Sequence, residues 1–377
     1  MYDLVLPRKI CFGVRSSRRL PEILPASARR VMLVAGSHTV RSGLAEMLSD
    51  LLKKSGREVL LVNGASSEPP PDEIDSLADS ARAFRADSVA AVGGGSVIDA
   101  AKAAAALVPM EGRCMDYFSG SAVIDRPGLF FVAIPTTAGT GAEMTSNSVL
   151  TDPVSKIKKS LRSPFMTPSA TLNDPELLTD APSRVIAFCG LDAFVQAAEC
   201  FTSTRGNPFS RSLALSALSS LAVNLPAFYD DPRNEEARDK TAEASMMTGV
   251  AFAQTGLGAV HGLAHPIGAL LHVPHGEACA ILMPYVFGFN AETVPEPYAE
   301  MARAVNAGSS ASDFVRFTKS LVRHFDIPEN LSSFGLTDEH FPFIIKNCRS
   351  GSMKTNPRSM SDEQAENILT ELAGAGK

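Results

Sequence analysis

The first 140 residues alternate short apolar runs with longer helical patterns, and that rhythm leaves few folds open. RVMLVAG (30–36), EVLLVNG (58–64), SVAAVGGGS (88–96) and LFFVAIPTT (129–137) read as strands. Between the first two, residues 40–54 set Leu44, Met47, Leu48, Leu51 and Leu52 on one helical face. The loop SSEPPPDE hands the chain to a helix running through Phe84, and IDAAKAAAALV is an alanine-rich helix. Strand and helix alternating at this spacing predict a parallel sheet with helices on both faces. Ligands of such sheets sit at the carboxyl ends of the strands.

After Asp180 the texture changes to long Ala/Leu/Phe-rich segments, at 183–203, 208–230, 235–255, 258–271, 279–290, 296–305, 311–324 and 362–372. β-branched runs almost vanish, so this half is expected to be all-helical. The Pro-bounded DPELLTDAPS marks the change. The expectation is an α/β domain over 1–179 and an all-α domain over 180–377. A chain of 377 residues at 45 % hydrophobic content can build both cores.

Charge narrows the partners. A net charge of −6 offers no basic footprint, so neither nucleic acid nor an anionic membrane is expected as a partner. MYDLVLPRKICFG lacks the charged-then-apolar layout of a secretory signal, and apolar stretches such as AILMPYVFGF are too short to span a bilayer. Cys11, Cys114, Cys189, Cys200, Cys279 and Cys348 are scattered without a CxxC pair, so they read as buried thiols of a reducing compartment. The expected location is the cytoplasm.

Two strand ends carry glycine. GGGSVIDAAKA (93–103) follows one strand and opens a helix, where bare backbone amides and the helix amino terminus favour a phosphate. A tight βα turn without ligand would look similar, and the run is neither a Walker loop nor GxGxxG. PTTAGTGAEMTSNSVL (135–150) follows a second strand and brings Thr136, Thr137, Thr140, Thr145 and Ser146 around Gly139 and Gly141. Two such loops on one sheet point to a dinucleotide.

AVHGLAHPIGALLHVPHGE (259–277) holds His261, His265, His272 and His275, four of the chain's seven histidines. His261 and His265 are one helical turn apart. GLDAFVQAAE (190–199) sets Asp192 and Gln196 at the same spacing on another helix. Imidazoles with a carboxylate suit zinc or ferrous iron, although core histidines and acid–base work without metal remain open. HGLAH lacks the glutamate of the metalloprotease HExxH, so that route of water activation is not supported.

GGGSVIDAAKA, AIPTTAGTGAEMT, LNDPELLTD, GLDAFVQAAE, GAVHGLAHPIGALLHVPHGEACAILMP and the late NPR (356–358) together resemble the iron-containing alcohol dehydrogenase family, in the family's order and over nearly the whole chain. The resemblance implies a Rossmann-like NAD(P)-binding domain and an all-α domain, the dehydroquinate synthase-like architecture. It implies interconversion of alcohols with aldehydes or ketones by hydride transfer, with a divalent metal, Fe2+ or Zn2+, between the domains. Metal-free maleylacetate reductases also belong there, so a metal-independent reductase is the alternative. Residue by residue, the metal ligands implied are Asp192, the residue at 196, His261 and His275, with His265 placed to relay a proton. Cofactor contacts implied are Gly94, Gly95, Ser96, Asp99, Thr136, Thr137, Thr140 and Lys158. A homodimer or larger homo-oligomer is also implied.

Two positions depart from the family's pattern. Gln196 stands where histidine is usual, and an amide oxygen is a weaker donor than imidazole. Gly36 stands where NAD-preferring members carry an acidic residue that bonds the ribose 2′-hydroxyl. With Ser37, His38 and Arg41 nearby, a 2′-phosphate is no longer repelled, so NADP is favoured over NAD, unless the glycine only shapes the turn. Val250, Phe252, Phe165 and His272 are candidates for lining the substrate pocket.

Overall fold

Two apolar layers enclose a parallel sheet in the amino-terminal unit of the computed structural model, which describes residues 2–63, 66, 68–155 and 157–374. This unit comprises Leu4–Thr137 and Gly141–Asp180. Its strands are β1 (Lys9–Phe12), β2 (Arg30–Ala35), β3 (Glu58–Asn63), β4 (Ser88–Gly93), β5 (Phe130–Pro135) and, after a hairpin of β6 (Asn147–Asp152) and β7 (Ile157–Arg162), β8 (Ala170–Asn173). Helices α1 (Leu20–Ile23), α2 (Ser37–Arg41), α3 (Leu44–Lys54), α4 (Pro71–Phe84), α5 (Gly95–Leu107) and α6 (Cys114–Ser119) connect them. The sheet order is β1-β8-β5-β4-β2-β3, and every pairing is parallel.

Period-two alternation builds the layers. Val31, Leu33 and Ala35 of β2 join α1 and α3 on one face, while Met32 and Val34 join α4, α5 and α6 on the other. A strand covered on both faces needs a continuous apolar run, which is what RVMLVA supplies. From β2 the chain steps outward to β3, whereas from β4 it steps the opposite way to β5. The reversal opens a crevice at the carboxyl ends of β2 and β4, the usual ligand position in such sheets.

The strand expected over 58–64 ends at Asn63, and Gly64 lies outside the described residues. β1 and β8 have only four residues each, KICF and ATLN, too short for a periodic signal. The β6–β7 hairpin is hard to read because its second strand, IKKSLR, is mostly polar and only partly buried.

The second unit contains the chain from Ala181 onward with Ala138–Thr140. Its helices are α7 (Ser183–Thr202), α8 (Pro208–Asp230), α9 (Glu235–Thr255), α10 (Ala259–Leu271), α11 (His275–Ala291), α12 (Pro295–Ala304), α13 (Ala311–His324), α14 (Phe341–Asn347) and α15 (Asp362–Leu372). α7 is the central element. Gly190 lets α8 close on it, since a Cβ there would lie 2.1 Å from Leu225 Cδ1. On α7, Phe194 stacks on Phe314 at 6.2 Å between ring centroids, and Phe314 stacks on Phe287 at 5.9 Å. Such pairs contribute about 0.5–1.5 kcal/mol each beyond the area they bury.

Two results correct the sequence reading. α11 begins at His275, four residues before the expected start at 279, and this puts His275 and Cys279 one turn apart. The apolar stretches are expected to be too short and too interrupted to cross a membrane; α7 and α8 are long and apolar enough by length and composition alone, as buried core helices can be. In α7 the apolar window is 83 % buried inside the unit, and in α8 33 %. Scanning for unbroken apolar runs missed both, because serine and other polar residues punctuate them.

Candidate active site

Three helices of the second unit converge on one polar cluster. α7 presents Asp192, Gln196 and Glu199 at i, i+4 and i+7, hence on one face. α10 adds His261 and His265, and α11 adds His275 and Cys279. Gly276 allows the start of α11 to press on α7, because a Cβ there would fall 2.1 Å from the Phe188 carbonyl oxygen. The first turn of α10 has amides that no helical carbonyl can satisfy. Asn356 Oδ1 accepts from Ala259 N at 3.0 Å, and Glu199 Oε1 accepts from Val260 N at 2.8 Å. Asn356, held in turn by Asn290, gives the late NPR motif its structural task.

Glu199 also fixes the histidine that follows. His261 Nδ1 lies 2.6 Å from Glu199 Oε2, and since a carboxylate only accepts, Nδ1 donates. His261 Nε2 then faces Asp192 Oδ1 at 3.1 Å. His275 Nε2 is 3.7 Å from the same Asp192 oxygen and 3.8 Å from Cys279 Sγ. The rings of His265 and His275 stack at 5.4 Å, and those of His261 and His275 lie 5.3 Å apart. Asp192, Gln196 and Glu199 are each 2 % exposed, His261 1 % and Cys279 0 %, so this chemistry is desolvated.

The charges respond to that burial. Burial opposes ionisation of Asp192, but His275, His261 and the Gln196 amide outweigh it and hold the carboxyl below its usual range. Burial likewise disfavours charge on His261, yet Cys279, Glu199 and Asp192 together raise it well above an ordinary imidazole. Burial pushes the Cys279 thiol up to about 11, against the pull of His261. A ring between two carboxylates stays protonated unless something else takes the place of the proton at Nε2.

The donor chemistry fits a divalent metal. One ligand atom each from Asp192, His261, His275 and Cys279 lie within 4.8 Å of one another. Carboxylate, imidazole and thiolate are the zinc donors, and two histidines with a carboxylate also suit ferrous iron. Glu199 on His261 Nδ1 has the arrangement of an outer partner that would orient the imidazole if His261 held a metal. Gln196 donates from Nε2 to Asp192 Oδ2 at 3.0 Å, and its buried Oε1 has no hydrogen-bond partner among the described residues.

In the first unit, the loops after β2, β4 and β5 emerge side by side, since these strands are neighbours in the sheet. Gly36 N donates to Val92 O and Thr136 N to Gly93 O, each at 3.0 Å, tying the three ends together. The glycines differ in what demands them. At Gly93 a Cβ would come within 2.8 Å of Val97, so packing requires glycine. At Gly94 a Cβ would meet nothing nearer than Thr137 at 3.7 Å, so packing does not demand glycine there. Gly94 caps α5, and Gly95 and Ser96 begin it, with half-buried backbone at a helix amino terminus. Thr136 and Thr137 are half-buried beside them, whereas Thr140 belongs with the helical unit.

Other sequence candidates land elsewhere. Asp99 turns inward, accepting from Val149 N at 3.0 Å and lying 3.3 Å from Lys102 Nζ, so its carboxylate holds β6 against α5. Lys158 on β7 pairs with Glu68 at 2.9 Å. Gly36 caps α2 and is hemmed in, since a Cβ would lie 3.2 Å from Val97 Cγ2, while Ser37 and His38 are exposed. Phe165 is misplaced as a substrate contact: it lines a cavity of about 500 Å³ with Phe130 and Ser169 at the amino ends of β5 and β8, opposite the glycine loops. Val250 is buried in α9, Phe252 is half-buried on it, and His272 is exposed just after α10.

Two residues of the cluster were not foreseen. Glu199 ended the quoted GLDAFVQAAE run, and its i+7 spacing from Asp192 was the signal. Cys279 was grouped with the structural thiols, and starting α11 at Pro-His would have exposed its i+4 relation to His275.

Comparison with known proteins matches nearly the whole chain. The family model described as iron-containing alcohol dehydrogenase matches residues 7–175, and its C-terminal counterpart matches 186–373. The chain is 32 % identical to an NADPH-dependent butanol dehydrogenase of Clostridium saccharobutylicum, covering 98 % of this chain and 97 % of that one. It is also 32 % identical to a sulfoacetaldehyde reductase of Bilophila wadsworthia (strain 3_1_6), over 96 % of each. Among solved structures, a 1,3-propanediol oxidoreductase superposes with a TM-score of 0.93 at 28 % identity, over 99 % of this chain and 100 % of that one. The sulfoacetaldehyde reductase of Bifidobacterium kashiwanohense in complex with NAD+ gives 0.93 at 29 %, over 99 % of each.

Proposed function

The chain belongs to the iron-containing alcohol dehydrogenase family, and from that premise we propose a metal-dependent, NADPH-preferring reductase of short aliphatic aldehydes or ketones. As a family member it is an NAD(P)-dependent oxidoreductase interconverting alcohols with carbonyl compounds. The observation that carries the finer reading is the convergence of Asp192, His261 and His275 in one buried cluster.

When bound, NADPH would supply the hydride and a divalent metal would polarise the substrate oxygen. The chain's residues do the rest. Asp192, His261 and His275 hold the metal, with Gln196 adjoining, and Glu199 keeps the His261 ring in one tautomer. His265, half-buried and stacked on His275, carries the proton that balances hydride addition. Gly94, Gly95 and Ser96 with Thr136, Thr137 and Thr140 receive the pyrophosphate and ribose. Asp99 positions that loop through β6, and Lys158 adds positive charge from the hairpin. Gly36 with Ser37, His38 and Arg41 tolerates a 2′-phosphate, which supports NADPH over NADH. Free, mostly buried cysteines support a cytoplasmic location, and the family resemblance supports a homodimer or larger homo-oligomer.

Fluorescence titration with NADPH and NADH, joined to elemental analysis, tests this. Tighter NADPH binding and about one metal per chain are expected. Protein that bound neither nucleotide would overturn the reading. One observation favours the metal-independent alternative: the Gln196 amide satisfies the Asp192 carboxylate internally. Reductase activity that persists in exhaustively chelated, metal-free protein would establish that alternative.

A further inference from the structure

Position 196 leaves the metal cluster with one donor to find. The Gln196 amide does not supply it. Its Nε2, which has no lone pair to give, faces Asp192 Oδ2 at 3.0 Å. Flipping the amide would set Oε1 against that same carboxylate oxygen, acceptor to acceptor. Gln196 thus fixes Asp192 through Oδ2 and leaves Oδ1 toward His261 and His275.

Cys279 does supply a donor. It lies one turn after His275 on α11, so both side chains leave the same face. Its Sγ is 3.8 Å from His275 Nε2 and belongs to the four donor atoms gathered within 4.8 Å. A core thiol usually packs among apolar groups, yet this one meets His275 and lies within the same donor cluster as His261. A second observation points to a bound group here: Gln196 Oε1, on a residue 2 % exposed, has no hydrogen-bond partner among the described residues, an acceptor awaiting a hydrogen-bond donor such as the hydroxyl of a substrate or a water entering the cluster.

We propose that Cys279 takes the fourth ligand position as a thiolate, giving an Asp192–His261–His275–Cys279 centre that selects Zn2+, while Gln196 is a positioning residue for Asp192. The proposal rests on the metal-dependent reading above. Selectivity follows from donor softness, because thiolate favours zinc where an all-oxygen or nitrogen set would also accept harder ions.

The test uses the full chain, stripped of metal and reloaded with one equivalent of Zn2+ or Co2+. Zinc X-ray absorption is expected to show one sulfur neighbour at about 2.3 Å beside nitrogen and oxygen at about 2.0–2.2 Å. The Co2+ form is expected to show a thiolate charge-transfer band in the near ultraviolet. Cys279→Ser should abolish both signals and weaken zinc binding by at least roughly 100-fold, the upper end for losing even a supporting group. Gln196→Leu should keep both signals. One zinc bound through nitrogen and oxygen alone overturns the Cys279 assignment and leaves the metal-dependent reading standing. No zinc bound at all by the wild-type chain overturns both.

Discussion

Replacing Glu199 by glutamine isolates what this carboxylate does for the cluster. In the wild type, Oε1 accepts from Val260 N at 2.8 Å and Oε2 from His261 Nδ1 at 2.6 Å, on a residue 2 % exposed. A glutamine keeps the first bond through its oxygen but turns an amide N–H toward Nδ1. The ring must then accept at Nδ1 and carry its proton at Nε2, where Asp192 Oδ1 waits at 3.1 Å. All partners remain satisfied in metal-free protein, so Glu199→Gln should lose only about 1–2 kcal/mol, the difference between a charge-assisted and a neutral hydrogen bond. Metal binding now requires undoing that tautomer, and affinity should fall roughly 10–100-fold. Glu199→Ala is harsher, since it strands the Val260 amide and His261 and should cost about 3–5 kcal/mol. Denaturant unfolding in chelator gives the stabilities, and competition against a zinc indicator gives the affinities. If Glu199→Gln bound zinc as tightly as wild type, Glu199 would not be setting the tautomer of a ligand.

His261→Ala should remove most turnover while leaving NADPH affinity nearly unchanged, because the glycine loop at Gly94–Ser96 and the Thr136–Thr137 turn belong to the other unit; turnover and fluorescence titration separate the two. His265→Ala should lower kcat by about 100-fold or more if it carries the proton, with metal content unchanged. Burial pushes Glu143 up to about 7 from an ordinary 4.5, so folding favours its protonated form. Its contribution is therefore full below the ordinary value and is lost as pH rises through about 7. Glu143→Gln should consequently gain thermal stability over wild type as pH is raised through that window, by calorimetry. Gly93→Ala should destabilise by about 1–3 kcal/mol, since its Cβ would overlap Val97, whereas Gly94→Ala should spare stability and weaken nucleotide binding.

The fold was legible wherever an element was long or buried on both faces. RVMLVA and SVAAVG announce central strands because both faces need apolar residues. KICF, ATLN and IKKSLR do not, because short or edge strands borrow their stability from neighbours that a local window cannot see. The cluster was partly legible for a similar reason. Asp192, His261 and His275 stand out as polar residues in apolar helices; Glu199 was legible as i+7 from Asp192 but overlooked, and Cys279 emerges only once the start of α11 is fixed. A four-residue error at the start of α11 hid the thiol. Phe165 was misplaced because hydrophobicity marks burial without saying which end of the sheet a side chain lines.

The most direct measurement is reductase activity with NADPH across short aliphatic aldehydes, before and after exhaustive chelation, with metal content determined on the same samples. The account predicts that activity falls with the metal and returns on adding Zn2+ or Fe2+ in proportion to metal regained. Full activity in protein that contains no metal would contradict it and leave the histidines to manage charge alone.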